Sequence, residues 1–219
     1  MTRQFLETKS NRWLGALMLA CGVLMIVAMF HHPDAVNGTE ATSGVMRWVH
    51  GVLIFLIIVN AYAVWRFVDQ TQNKNNDLLL GATFYWISIA AFLGGTLVSG
   101  FVQSDVSDLY TEQVLNIDLF GAFNRFAAIL NQTFIKFGLL SFGASGLIWA
   151  IPLISSGVNT KLIGVSGFIV GSCLVVSVLS GISPSVFSMT ILTGLIVLWH
   201  GSIAIWFLRP NSSEGLPNG

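Results

Sequence analysis

The stretch that decides the fold is VFSMTILTGLIVLWHGSIAIWFL, Val186–Leu208, which contains no Asp, Glu, Lys or Arg. An α-helix rises ~1.5 Å per residue, so about 20 apolar residues cross a ~30 Å hydrocarbon core. This stretch is long enough to do so. A membrane-spanning β-strand would instead be short and would alternate apolar with polar residues. The stretch therefore predicts a transmembrane helix.

Five further apolar stretches precede it along the chain. They occupy residues 13–30, 46–67 and 78–102, a segment that begins after Phe120 and ends near Pro152, and residues 162–179. Polar segments at 73–77 and 183–185 separate neighbouring stretches as turns. The pattern predicts an all-α integral membrane bundle of about six transmembrane helices. It forms one domain at 13–208, between an N-terminal segment at 1–12 and a short tail at 209–219.

The composition agrees with a membrane protein, because 54% of the 219 residues are hydrophobic and only 9% are charged. Such a chain cannot build a water-compatible surface, so membrane lipid is its expected surrounding. The formal net charge is zero and no long basic run occurs, which argues against nucleic acid as a partner. A second copy of the chain or another membrane subunit remains a possible partner.

The distribution of charge predicts the orientation in the membrane. Most Lys and Arg collect at one face of the predicted bundle, as Arg3, Lys9, Arg12, Arg66, Lys74, Lys161 and Arg209, whereas Arg47 and Arg125 lie at helix starts on the opposite face. Asp and Glu collect at the other, as Asp34, Glu40, Asp105, Asp108, Glu112 and Asp118. Basic short loops stay in the cytoplasm. We therefore expect both termini to be cytoplasmic in a bacterial inner (plasma) membrane.

The fourth apolar stretch is too long for a single straight crossing, since its ~50 Å exceeds the bilayer core. We expect residues 121–127 to lie beyond the membrane, with the crossing part starting near Leu130; a break at 143–146 is the alternative. The acidic segment 103–120 before it predicts either an amphipathic helix over the bundle mouth or a solvated loop. Recurring glycines in the third, fourth and fifth stretches indicate close helix packing.

Polar residues on the fourth stretch give the main functional hypothesis. A helical advance of 100° per residue places Gln132 and Lys136 on one stripe, with Asn131 beside it. A face that carries an amide and an amine is costly to expose to lipid. We expect it to face a polar cavity on the outer side, together with Gln103 and His50. The alternative is that Lys136 extends to the headgroups while the amides join helices.

A second hypothesis concerns the histidines at the outer end. His31, His32 and Asp34 follow the first stretch and His50 opens the second, so one short loop brings them together, with Asp105 at similar depth. Imidazole and carboxylate bind zinc, copper or iron. Plain interfacial histidines or a proton role are the alternatives. Haem is not favoured, because His50 and His200 differ in depth by about 15 Å and cannot ligate one iron.

These patterns leave three functional hypotheses open. The first is binding or transport of a small ligand or metal ion in the outward cavity. The second is a metal-dependent membrane enzyme that uses the same histidines, and the third is a non-catalytic accessory subunit. The chain carries no Gly-x-Ser-x-Gly, His-Glu-x-x-His, phosphate-binding glycine loop or Cys-x-x-Cys, so no catalytic motif decides between them.

Overall fold

The computed structural model describes residues 3–31, 43–71, 77–156, 158–181 and 185–209, and every regular element within these ranges is helical. The helices follow in chain order: α1 (Arg3–Phe30), α2 (Ser43–Thr71), α3 (Asp77–Leu97), a π-helical segment (Val98–Val102), α4 (Gln103–Thr111), α5 (Ile117–Ser155), α6 (Val158–Leu179) and α7 (Val186–Leu208).

Six helical stretches in the described chain are long and apolar enough to cross a membrane. They are Asn11–Phe30, Ser43–Thr71, Leu78–Thr111, Ile117–Ser155, Thr160–Leu179 and Phe187–Leu208. The prediction of an all-α bundle of about six such helices is confirmed at this level. These six long helices alternate in direction along the chain. The start of α1 and the end of α7 therefore lie on the same side of the bundle, which we call the terminal face. The opposite side, where the turn 112–116 joins α4 to α5, is the hairpin face.

The third stretch is longer than predicted. The π-helical segment joins α3 to α4 without a break, because Leu97 and Gln103 on either side of it both keep right-handed helical backbone angles. The acidic segment is therefore neither a lid across the bundle nor a solvated loop, because its first half continues the third helix to Thr111. Arg47 on α2 binds Asp105 and Asp108, each at 2.6 Å, and fixes α4 in this position.

α5 is one continuous helix of 39 residues, and the alternative break at 143–146 is not found. Its start is set by Asn116, whose side-chain oxygen accepts a hydrogen bond from the Leu119 backbone N–H at 2.9 Å. Gly143 and Gly146 do not interrupt the helix because they are the points at which it contacts α6. A Cβ on Gly146 would lie 2.7 Å from the Gly167 carbonyl oxygen. The predicted close packing of the glycines is confirmed there.

The packing register shows how far α5 extends past its neighbours. Gly143 contacts Gly171 and Gly146 contacts Gly167, so Leu179 at the end of α6 lies level with about Ile135 of α5. Residues 117–134 therefore continue toward the hairpin face for about 27 Å beyond α6. The whole helix is ~58 Å long against a bilayer core of ~30 Å. The location of residues 121–127 beyond the membrane stays a prediction.

Candidate functional site

A cavity of about 240 Å³ lies between α1, α2, α3, α5 and α7, and its lining extends from Gln132 and Ser185 to His200. Apolar side chains form most of its wall, and no Asp, Glu, Lys or Arg belongs to the described lining. Of the residues predicted to surround a ligand, the structure brings four to this cavity: His50, Gln103, Asn131 and Gln132.

The mouth of the cavity is marked by Gln132 on α5 and Ser185 at the start of α7, which are the exposed members of its described lining. Ser185 caps α7: its hydroxyl accepts a hydrogen bond from the Ser188 backbone N–H at 3.1 Å. α7 therefore begins at this level, whereas α5 continues past it toward the hairpin face. The difference in length between the two helices leaves the opening beside Gln132.

His50 lies on the wall near the hairpin face, against the π-helical segment. Its side chain is 2% exposed, and its Nδ1 lies 2.8 Å from the Met46 carbonyl oxygen one turn earlier on α2. A Cβ at Gly100 would come within 2.2 Å of the His50 Cβ, so only glycine permits this approach. A π-helical turn often marks a functional position in a helix. Here it places Gly100 where the imidazole needs space.

Asn131 and Gln103 extend the polar part of the wall. The Asn131 Oδ1 lies close to Gly95, where a Cβ would stand 3.0 Å away. The Gln103 amide donates a hydrogen bond to the Asn124 Oδ1 at 3.2 Å, which ties α4 to α5. Both side chains are half-buried, so they can meet a polar group near the mouth.

Lys136 does not line the cavity, in contrast to the sequence prediction. The face of α5 that lines it runs through Ala128, Asn131, Gln132, Ile135 and Phe142. The predicted stripe was therefore rotated by about one residue, which corresponds to 100° around the helix. Lys136 is half-buried and lies one turn from Gln132. Its part in ligand binding stays a prediction.

The closed end of the cavity contains two buried polar side chains that the sequence analysis did not assign to the site. His200 on α7 is 4% exposed and Asn60 on α2 is 1% exposed. The His200 Nε2 lies 3.2 Å from the Tyr85 hydroxyl, and the Asn60 amide donates to the Leu56 carbonyl oxygen at 2.9 Å. Within the described chain, the His200 Nδ1 and the Asn60 Oδ1 have no hydrogen-bond partner.

Such unsatisfied buried atoms need an explanation, because each costs about 1–3 kcal/mol when it loses water without gaining a partner. A signal for both was present in the sequence. Asn60 is the single amide in an apolar run, and His200 the single ionisable residue in the last helix. His200 was not assigned to the site because it lies at a different depth from His50, which is why the two cannot ligate one haem iron. One elongated cavity can nevertheless be lined by both residues.

Aromatic rings form the floor beneath His200. Trp149 and Trp199 stack with their ring centroids 5.4 Å apart, and Phe142 meets His200 edge-on at 5.6 Å. Trp149 is held in place because its Nε1 donates to the Leu78 carbonyl oxygen at 2.7 Å. Rigid packing of this kind fixes the orientation of the His200 ring and separates the cavity from the terminal face.

The predicted metal ligands are only partly within the described chain, since His32 and Asp34 fall outside it. His31 is exposed, and its Nδ1 lies 2.9 Å from the Val27 carbonyl oxygen. Asp105 is bound to Arg47. In the ranges that the structure describes, no three His, Cys, Asp or Glu side chains come together in a way that could hold a metal ion. The zinc, copper or iron site stays a prediction.

The chain was compared with protein-family models, with curated proteins and with solved structures, and none of the three comparisons found a match.

Proposed function

We propose that this protein binds a small neutral molecule, largely apolar, inside the membrane bundle and acts as its binding or transport protein. The observation that carries the proposal is the cavity between α1, α2, α3, α5 and α7, which runs from an exposed mouth at Gln132 to buried polar atoms at His200. Ligand sites are concave, mostly apolar and supplied with a few placed polar groups. This cavity has those properties.

The charge of the wall decides which ligand fits best. A charged molecule would lose its hydration without meeting an opposite charge, at a cost of several kcal/mol. With histidine as the only titratable residue type on the described wall, a neutral ligand avoids that cost. The volume of about 240 Å³ equals roughly eight water molecules, so the ligand is small.

We further propose that the mouth faces the outside of a bacterial inner membrane and that both termini are cytoplasmic. Among the described residues, Arg12, Arg66, Lys161 and Arg209 lie toward the terminal face. The carboxylates of α4 lie toward the hairpin face. The positive-inside rule then supports a cytoplasmic terminal face and an outward cavity.

Native mass spectrometry on protein extracted gently from its membrane tests the proposed function. Ala128 lines the cavity, whereas its neighbour Ile129 is 59% exposed on the outer side of α5. Ala128→Trp should fill the space and remove a bound small molecule that wild type retains. Ile129→Trp, the matched control, should retain it. Retention by both variants, or no bound molecule in wild type, would contradict the proposal.

A further inference from the structure

We infer that the closed end of the cavity recognises a hydroquinone-type head group, a neutral ring with hydroxyl groups on two opposite edges. The inference rests on the proposed function and names the ligand class for the same cavity. It follows from the hydrogen-bonding capacity left open by His200 and Asn60, and from the distance between them.

The bond to Tyr85 fixes which nitrogen of His200 carries the proton. The Tyr85 hydroxyl is fully buried, and in the described chain its one hydrogen-bond partner is the His200 Nε2. A buried hydroxyl must donate its proton to be satisfied, so Nε2 accepts and Nδ1 bears the hydrogen. The His200 Nδ1–H is therefore a donor that lacks an acceptor.

The other described histidines show that this arrangement is particular to His200. The Nδ1 atoms of His31 and His50 each approach the carbonyl oxygen one turn earlier, at 2.9 and 2.8 Å. His200 does not use that local bond, and its ring lies on the cavity wall. Its donor can then serve a ligand oxygen.

Asn60 supplies the opposite capacity. Its amide nitrogen donates to the Leu56 carbonyl oxygen and lies 3.6 Å from the Met25 sulfur. Its Oδ1 is left as an acceptor without a donor in the described chain. A ligand that satisfies both residues must accept from His200 and donate to Asn60.

The two groups lie at different depths, so a single hydroxyl cannot serve both well. The close approach of His50 to Gly100 places Asn60, ten residues further along α2, level with about residue 90 of α3. Tyr85, whose hydroxyl meets the His200 Nε2, is five residues nearer the start of α3, which is roughly 7 Å toward the terminal face. Two hydroxyls on opposite edges of a ring bridge such a separation. The apolar and aromatic wall, including Phe92 and Phe142, suits the ring itself.

The test compares three compounds with the same decyl tail on the protein in lipid nanodiscs: a benzohydroquinone, its benzoquinone, and the dimethyl ether of the hydroquinone. Only the first can donate to Asn60. Anaerobic conditions with a reductant keep it reduced, and empty nanodiscs correct for partition into lipid. We expect the hydroquinone to bind at least about tenfold tighter than the ether, or ~1.4 kcal/mol.

Two kinds of variant connect that preference to the residues. Asn60→Leu should bring the affinities for the hydroquinone and the ether to within about threefold of each other. The double variant His200→Phe with Tyr85→Phe removes both members of the buried pair and should weaken hydroquinone binding about tenfold. Thr96→Val is the matched control: Thr96 also lines the cavity, but its hydroxyl already donates to the Phe92 carbonyl oxygen at 2.7 Å. It should leave the preference intact. Thermal unfolding identifies variants that fail to fold.

Each other outcome has a definite meaning. Equal binding of hydroquinone and ether, blocked by Ala128→Trp, would overturn the hydroquinone inference and leave the proposed function standing. The same holds if wild type binds none of the three compounds but retains another small molecule from its membrane. Absence of both kinds of binding would overturn the inference and the proposed function together.

Discussion

At the residue scale, the polar atoms in the bundle fall into two groups with different roles. Trp149 has its indole nitrogen satisfied by the Leu78 carbonyl oxygen, and Ser166 donates to the Ser202 hydroxyl at 2.9 Å between α6 and α7. These bonds hold helices together. The His200 Nδ1 and Asn60 Oδ1 add nothing to stability among the described residues, because they have no partner there. Both residues line the cavity, where a ligand can reach them, whereas Ser145 and Trp199, whose side chains also lack a partner in the described chain, are not part of its lining.

The bond of Trp149 should be visible in stability. Trp149→Phe removes the hydrogen bond to the Leu78 carbonyl oxygen and frees space above Gly81, where a Cβ would now meet the indole at 2.3 Å. We expect a loss of about 1–3 kcal/mol in the free energy of unfolding in detergent micelles. Trp48→Phe, at a position that is 77% exposed, should change it by less than about 0.5 kcal/mol. Equal effects would contradict the assigned role.

At the scale of elements, the contact between α5 and α6 depends on backbone approach at glycines. Gly146→Ala would place a methyl group 2.7 Å from the Gly167 carbonyl oxygen, and a backbone atom cannot move aside as a flexible side chain can. We expect a cost of about 1–3 kcal/mol in unfolding free energy. Gly194→Ala on α7 meets nothing within 4 Å and should be stabilising by up to about 1 kcal/mol. If neither substitution changed the free energy of unfolding, the close contact of α5 with α6 at Gly146 would be contradicted.

The helices also show which parts of the structure could be predicted from the amino-acid sequence and which could not. Apolar length alone predicted the six long helices, since a bilayer-crossing helix needs about that length. The sequence left open whether Gln103–Thr111 is a helix or a loop, because its mixed polar composition suits both. The bonds of Arg47 to Asp105 and Asp108, which hold this helix against α2, are tertiary contacts that composition does not reveal. The sequence also did not decide which face of α5 lines the cavity, and the part of Lys136 in ligand binding stays a prediction. Helical periodicity gives the relative angles of residues but not which angle faces the interior.

At the scale of the whole molecule, three helices extend farther toward the hairpin face than the others, and the cavity opens where the shorter ones end. α5 continues past the end of α6, and the Arg47 contacts carry α2 and α4 to the same height. Depth along the helices predicted that His50 and His200 cannot ligate one metal. It did not exclude their lining one cavity, which a long opening between helices of unequal length provides.

The orientation of the molecule can be measured with single cysteines. After Cys21→Ala and Cys173→Ala, Val114→Cys places a thiol in the turn between α4 and α5, at a position that is 65% exposed. Arg209→Cys places one at the terminal face. A membrane-impermeant maleimide should label the first in intact spheroplasts and the second only after lysis if the basic terminal face is cytoplasmic, as we propose from the positive-inside rule. The reverse pattern would invert the proposed orientation.

The central claim is that the cavity is a binding site that reaches from Gln132 to His200. The most direct measurement is an experimental structure of the protein in nanodiscs made from its own membrane lipids. Our account predicts density for a compact molecule within hydrogen-bonding distance of the His200 Nδ1 and the Asn60 Oδ1. A cavity closed by side chains, or one filled only by a lipid tail that touches neither atom, would contradict it.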